Sequence, residues 1–173
     1  MSAAAFALLV GLAYLVLGLA GLVPATLVPP PVEAPPTWFA LLYGDLFGLF
    51  PVNVLASAVH LGAGFWGLCA ALHKCSAVAY ARVLAIAFGV LALLGALPGA
   101  NTLFGAMPAY GADVWLHAAT ALLAAYVGWR ASAVARERRR NRADRRQREV
   151  AVARERRFGL ADRREGWSAM SLA

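Results

Sequence analysis

Residues 52–72 read Val-Asn-Val-Leu-Ala-Ser-Ala-Val-His-Leu-Gly-Ala-Gly-Phe-Trp-Gly-Leu-Cys-Ala-Ala-Leu. The run carries no Asp, Glu, Lys or Arg, and it matches the roughly 20 residues that an apolar helix needs to cross a bilayer. Its polar and small residues are Asn53, Ser57, His60, Gly64 and Gly67, at offsets of 4, 7, 11 and 14 from the first. That is a heptad-type spacing and places them on one helix face. Small residues let two backbones approach, and polar ones hydrogen-bond across a helix contact, so this face is expected to meet protein and not lipid. The stretch therefore reads as one member of a helical bundle built for a membrane.

Three further stretches have the same character: residues 3–23, 79–98 and 113–133. The first lacks a basic lead and an obvious small-residue cleavage pattern near Pro24, so it reads as a retained helix and not a secretory signal. The last repeats the polar seam, with Asp113, His117, Thr120, Ala124 and Gly128 on one face, and the two seams are expected to face protein and not lipid, each other being one candidate. Hydrophobic residues make up 61% of the 173-residue chain and charged ones 14%, against roughly 45–50% and 25% in a soluble domain. An ordinary soluble enzyme core is excluded. The expected fold is all-α: an integral membrane four-helix bundle with a basic helical extension.

Charge divides the chain in two. Residues 1–133 hold three basic side chains (Lys74, Arg82, Arg130) and three acidic ones (Glu33, Asp45, Asp113), so the whole net charge of +7 lies in 134–173. Domains are accordingly expected at 1–133 and 134–173. The segments 24–51 and 99–112 contain no Lys or Arg, so the positive-inside rule puts both termini in the cytoplasm. Within 24–51, the five prolines between Pro29 and Pro36 predict a stiff extended stretch. The aromatic run from Trp38 to Phe50 is too short and too interrupted by glycine to span, and reads as an anchor at the headgroup boundary or a lid over the bundle, with a binding loop for an apolar or pigment molecule as the alternative. Cys69 and Cys75 suggest neither a disulfide framework nor a thiolate metal site.

The extension contains a repeat. Val-Ala-Arg-Glu-Arg-Arg occurs at 134–139 and again at 152–157, and Ala-Asp-Arg-Arg at 143–146 and 161–164, both at an offset of 18. Eighteen residues are about five helical turns, so a helix shows both copies on one face. The first copy supplies Arg136, Arg138, Arg139, Arg145 and Arg146, and the second Arg154, Arg156, Arg157, Arg163 and Arg164. Arginine without lysine suits bidentate contact with carboxylate or phosphate. An acidic protein surface or anionic lipid is the expected partner beside other subunits of a membrane complex and bulk membrane lipid; nucleic acid is not.

Ionisable groups within a span are functional candidates, because an unpaired one is costly in hydrocarbon. His60 and His117 read first as structural hydrogen-bonding residues, with ligation of a haem or a chlorophyll-type pigment, and proton handling, as the alternatives. Counted from the span starts above, His60 lies about nine residues deep, roughly 13 Å, and His117 about four, roughly 6 Å. Axial ligands of one haem should share a depth, so no cofactor is expected. No closely spaced His, Cys or carboxylate cluster of the zinc type occurs, so no metal is expected either. Without a phosphate-binding loop or a nucleophile elbow, there are no catalytic residues to name.

The run from Phe50 to Leu68, with its Val-Asn at 52–53, its Val-His-Leu at 59–61 and its Gly64 and Gly67, together with Trp115-Leu116-His117, resembles a family of small bacterial four-helix membrane proteins catalogued as domain of unknown function 4383. The resemblance covers about residues 4–130. The family pattern tends to have His and Asn just before Val-His-Leu, where this chain has Ala56 and Ser57, and an Asn-rich lead into Trp-Leu-His, where it has Ala112, Asp113 and Val114. The resemblance implies a fold and a membrane location, here the bacterial inner membrane, and brings no activity. The functional expectation is a non-catalytic accessory or scaffold subunit of a membrane complex. The alternatives are a haem- or pigment-bearing subunit using His60 or His117, and a small transporter.

Overall fold

The computed structural model describes residues 1–72 and 74–170, with the side chains of 74–76, 131, 132, 135 and 158–170 outside that description. The chain is mostly helical and falls into two compact units, Met1–Ser132 and Ala133–Ala173. Helix α1 spans Ala3–Ala20, α2 Val54–Leu72, α3 Lys74–Ala96 and α4 Ala112–Met170. A single 3-10 turn, Pro24–Thr26, follows α1. Among the described residues, Ala3–Ala20, Val54–Leu72 and Ala77–Ala96 are long and apolar enough to cross a membrane, which marks the chain as a membrane protein.

Ser2 starts α1 by accepting a hydrogen bond from the Ala5 N–H at 3.1 Å, the usual way a hydroxyl satisfies one of the orphan amides of a first turn. The helix buries Phe6, Ala7, Gly11, Tyr14 and Gly18 along one stripe and leaves Leu8, Leu9, Leu12, Val16 and Leu19 exposed. That stripe lies against α2, which runs antiparallel to it. The glycines set the separation: a Cβ on Gly64 would sit 2.5 Å from the Leu15 nitrogen, and one on Gly67 would sit 2.7 Å from the Gly11 Cα. No L side chain fits at such a distance, so backbone meets backbone there, as expected where apolar surroundings give helices little hydrophobic reason to associate. Helix α3 buries Ala77, Tyr80, Ala81, Leu84, Phe88 and Ala92 at helical spacing, and the first turns of α4 bury Asp113, His117, Thr120, Ala121, Ala124 and Val127.

Two sequence expectations are corrected. Helix α3 begins at Lys74, five residues before the span expected at 79–98. Cys69 is free and exposed, whereas the Cys75 side chain lies outside the described residues. The all-α expectation fails between residues 27 and 52. There β1 (Leu27–Val28), β2 (Gly44–Leu46) and β3 (Phe50–Val52) form an antiparallel sheet in the order β1-β2-β3. Leu46 opposite Leu27 and Val52 opposite Gly44 set the register, and Leu46 and Val52 are fully buried with Ala56 and Met107. Phe47 and Gly48, both at positive φ, make the turn between β2 and β3. Pro51 is accommodated because β3 is an edge strand and needs no ladder N–H on its outer side. Strands this short carry too few residues to show an alternating pattern in sequence.

The sheet and the 99–111 segment close one end of the bundle together. The Trp38 backbone N–H donates to the Gly105 carbonyl at 2.9 Å and its indole N–H to the Phe104 carbonyl at 3.1 Å. Tyr43 donates to the Pro35 carbonyl at 3.0 Å, and its hydroxyl lies 2.8 Å from that of Tyr110. Burial, with this bond second, raises the Tyr110 pKa. Asn53 is the centre of the arrangement. Its side-chain amide donates to the Phe39 carbonyl at 2.9 Å and the Ala106 carbonyl at 2.8 Å, while its oxygen accepts from the Ala56 N–H at 2.9 Å at the start of α2.

Replacing Asn53 with Ala removes a helix cap and orphans two carbonyls, and is expected to cost roughly 2–4 kcal/mol, read as reduced thermal stability in detergent. Gly64→Val should cost at least as much as the roughly 1–3 kcal/mol of an overpacked core, because the obstructing atom is backbone. Asp45 on β2 is partly buried with Oδ1 unpartnered, and burial raises its pKa. The folded state thus holds that proton more tightly than the unfolded one, so this contribution favours folding at acid pH and is lost as pH rises through the folded pKa. Asp45→Asn should flatten that decline in a pH series of melts.

Candidate functional site

Helices α2 and α4 both start from the capped end of the bundle. His60 lies six positions after the start of α2 at Val54, and His117 five positions after the start of α4 at Ala112. Their depths therefore agree, and the rings lie 5.9 Å apart between centroids, edge to face. This corrects the depth mismatch inferred from sequence, which arose from starting the second span at residue 52, inside β3, and the fourth at 113. Asp113 sits one turn before His117 on the same face, with Oδ2 3.8 Å from Nε2, too far for a hydrogen bond. One donor atom from each of His60, Asp113 and His117 lies within 4.8 Å of the others, and all three residues are buried.

The other two helices wall the cluster. Phe88 of α3 stacks on His117, with centroids 4.9 Å apart and planes inclined by 7°. Tyr14 of α1 stacks on Phe88 at 4.8 Å and tilts against His60 at 5.2 Å. The Tyr14 hydroxyl is 2.8 Å from the Thr120 hydroxyl, which pins α1 to α4 one turn beyond His117. Every helix of Met1–Ser132 thus contributes a side chain, although the residues that carry chemistry come from α2 and α4.

Unpartnered polar atoms concentrate at the cluster, although Ser57 Oγ and Tyr80 OH elsewhere in the bundle are also buried without a partner. His60 Nδ1, Asp113 Oδ1 and both nitrogens of His117 are buried without a hydrogen-bond partner, whereas Asn53 has partners for both its oxygen and its nitrogen. Buried polar groups in folded proteins are overwhelmingly partnered, so a concentration of orphans at one point calls for something that would bond to them.

The seam residues divide among two helices and the loops. Gly64 and Gly67 meet α1, Ser57 lies against Gly21 at the end of α1, His60 meets α4, and Asn53 caps the loops. Sequence reading missed Tyr14 and Phe88. Tyr14 carries a signal, as the one side chain in Ala3–Ala20 able to hydrogen-bond; Phe88 carries none. In Ala133–Ala173, Arg136, Arg138, Arg139, Arg145, Arg146, Arg154, Arg156 and Arg157 are exposed on the helix, and the side chains of Arg163 and Arg164 lie outside the described residues.

The model of the family described as a domain of unknown function (DUF4383) matches residues 4–130. The chain belongs to that family. The match takes in all of the cluster and stops before the arginine-rich segment. Comparison with curated proteins and with solved structures gives no match.

The Tyr14 and Thr120 pairing predicts a coupling of about 1 kcal/mol in a double-mutant cycle of Tyr14→Phe and Thr120→Val. Additive effects on the melting midpoint would show that the two hydroxyls do not support each other.

Proposed function

We propose that this member of the family is a non-catalytic accessory or scaffold subunit of a larger membrane complex. In this reading residues 113–133 form a fourth span beside the three apolar helices, both termini are cytoplasmic, and the membrane is the bacterial inner one. The observation that carries the docking role is the arginine-rich segment. Its described arginines stand exposed from Arg136 to Arg157, and the Arg148 to Asp144 pair at 3.4 Å is of the exposed kind that contributes at most about 1 kcal/mol. Guanidinium groups repeated at an 18-residue period suit a surface with carboxylates repeated along it.

The bundle supplies the membrane part of this role. Leu9, Val16, Phe65, Ile86, Leu93, Trp115 and Leu122 are exposed on four helices, offering apolar surface to lipid or to neighbouring subunits. At the capped end Trp38, Phe47 and Phe104 are exposed beside polar backbone, an arrangement suited to the headgroup boundary. A haem or pigment reading of His60 and His117 gains from their proximity but loses to their packing. Tyr14 and Phe88 lie against the two rings, and a flat macrocycle would have to displace them.

Deleting 134–173 tests the docking role. The truncated protein should insert and fold as before but lose its partner subunits in a gentle detergent extraction run on a native gel. Co-migration unchanged by the deletion would refute docking through the arginines. Retention on anionic vesicles alone, with no protein released by the deletion, would transfer the role to lipid.

A further inference from the structure

The unpartnered atoms at the meeting of α2 and α4 form a donor set. Two neutral imidazoles and one carboxylate are the ligands that first-row divalent ions such as zinc, iron, cobalt and nickel accept, whereas magnesium and calcium prefer oxygen alone. The donors lie within 4.8 Å of one another. Bonds of about 2.0–2.1 Å around such an ion bring neighbouring ligand atoms to roughly 3–3.5 Å, so the set closes by at most about 1–2 Å on binding. Rotation of the Asp113 carboxylate, with small shifts of the imidazoles within their ring contacts, would supply that closure. We infer that His60, Asp113 and His117 hold a single first-row divalent transition-metal ion between α2 and α4.

Four features of the site support this. His60 Nδ1, Asp113 Oδ1 and both His117 nitrogens are buried and lack partners, and an ion would engage one atom of each residue. The residues come from two helices, so the ion would tie α2 to α4, where the described side chains supply ring contact without a hydrogen bond. Phe88 stacked on His117 and Tyr14 leaning on His60 hold the ring planes, which limits the disorder the imidazoles lose on binding. Asp113 is the one acidic group of the three and supplies a negative charge that offsets half of the cation's, within the first turn of α4 just below the capped end. Three protein ligands leave positions for water, the pattern of an open site and not of a closed four-ligand one.

This inference is independent of the docking role, because the arginine-rich segment contributes no ligand. The test uses the full chain without an affinity tag, stripped with chelator in detergent and titrated with cobalt(II) chloride. One equivalent of cobalt should produce visible d–d absorption that zinc(II) chloride abolishes by competition. His60→Ala and His117→Ala should each weaken binding by more than the roughly 10- to 100-fold typical of losing an outer-sphere partner. Asp113→Asn should weaken it while preserving shape. His73→Ala, which alters the remaining histidine of the chain, should leave it unchanged. Cobalt should also raise the melting midpoint of the wild type and not of the His60 and His117 variants, a measurement that separates lost ligation from lost folding. If the wild type takes up no cobalt at stoichiometric concentration, the orphaned atoms are served by water alone and the inference falls. It falls equally if the absorption survives in both histidine variants.

Discussion

Inside a helical bundle that excludes water, a buried polar group has only protein to bond to, and the capped end of this molecule is arranged around how Asn53 meets that requirement. Its two amide hydrogens reach Phe39 and Ala106, and its oxygen starts α2 at Ala56. Three chain segments distant in sequence are thereby fixed to one side chain. Because α2 starts where Asn53 allows, the height of every residue along α2 is set there, including His60. The sheet and the Trp38 and Tyr43 bonds to the 99–111 segment then hold the loops across the same end.

Beneath that cap, packing is governed by glycine. Gly11, Gly64 and Gly67 bring α1 and α2 to backbone contact, which maximises dispersion between the helices and lets Ala7, Tyr14 and Tyr80 close around them. Tight approach on the α1 side turns the opposite edge of the α2 seam toward α4, where His60 meets His117 and Asp113. The site is thus a consequence of the glycine contact as much as of its own residues. Four of the buried unpartnered atoms fall at this one point, on three residues whose donor atoms lie within 4.8 Å of one another.

Much of this was legible in the residues. The lengths of the apolar runs and the seams at Asn53, Ser57, His60, Gly64 and Gly67, and at Asp113, His117 and Thr120, come directly from helical periodicity. The 27–52 sheet was not legible, because strands of two or three residues separated by a proline-rich turn have no period to detect. The join of the two histidines was misjudged for a related reason. Depth was counted from apolar boundaries, and β3 borrows the first residues of the second apolar run while α4 begins one residue early.

Sequence alone determined the membrane character, the polar helix faces and the segregation of all net charge into 134–173, because each depends on local composition or on a repeat along one helix. The tertiary structure alone decided which seams meet, that Asn53 joins both loops, and that one carboxylate and two imidazoles converge. Those outcomes depend on where each helix starts and on which small residues let two backbones touch, and such relations exist only between segments far apart in the chain.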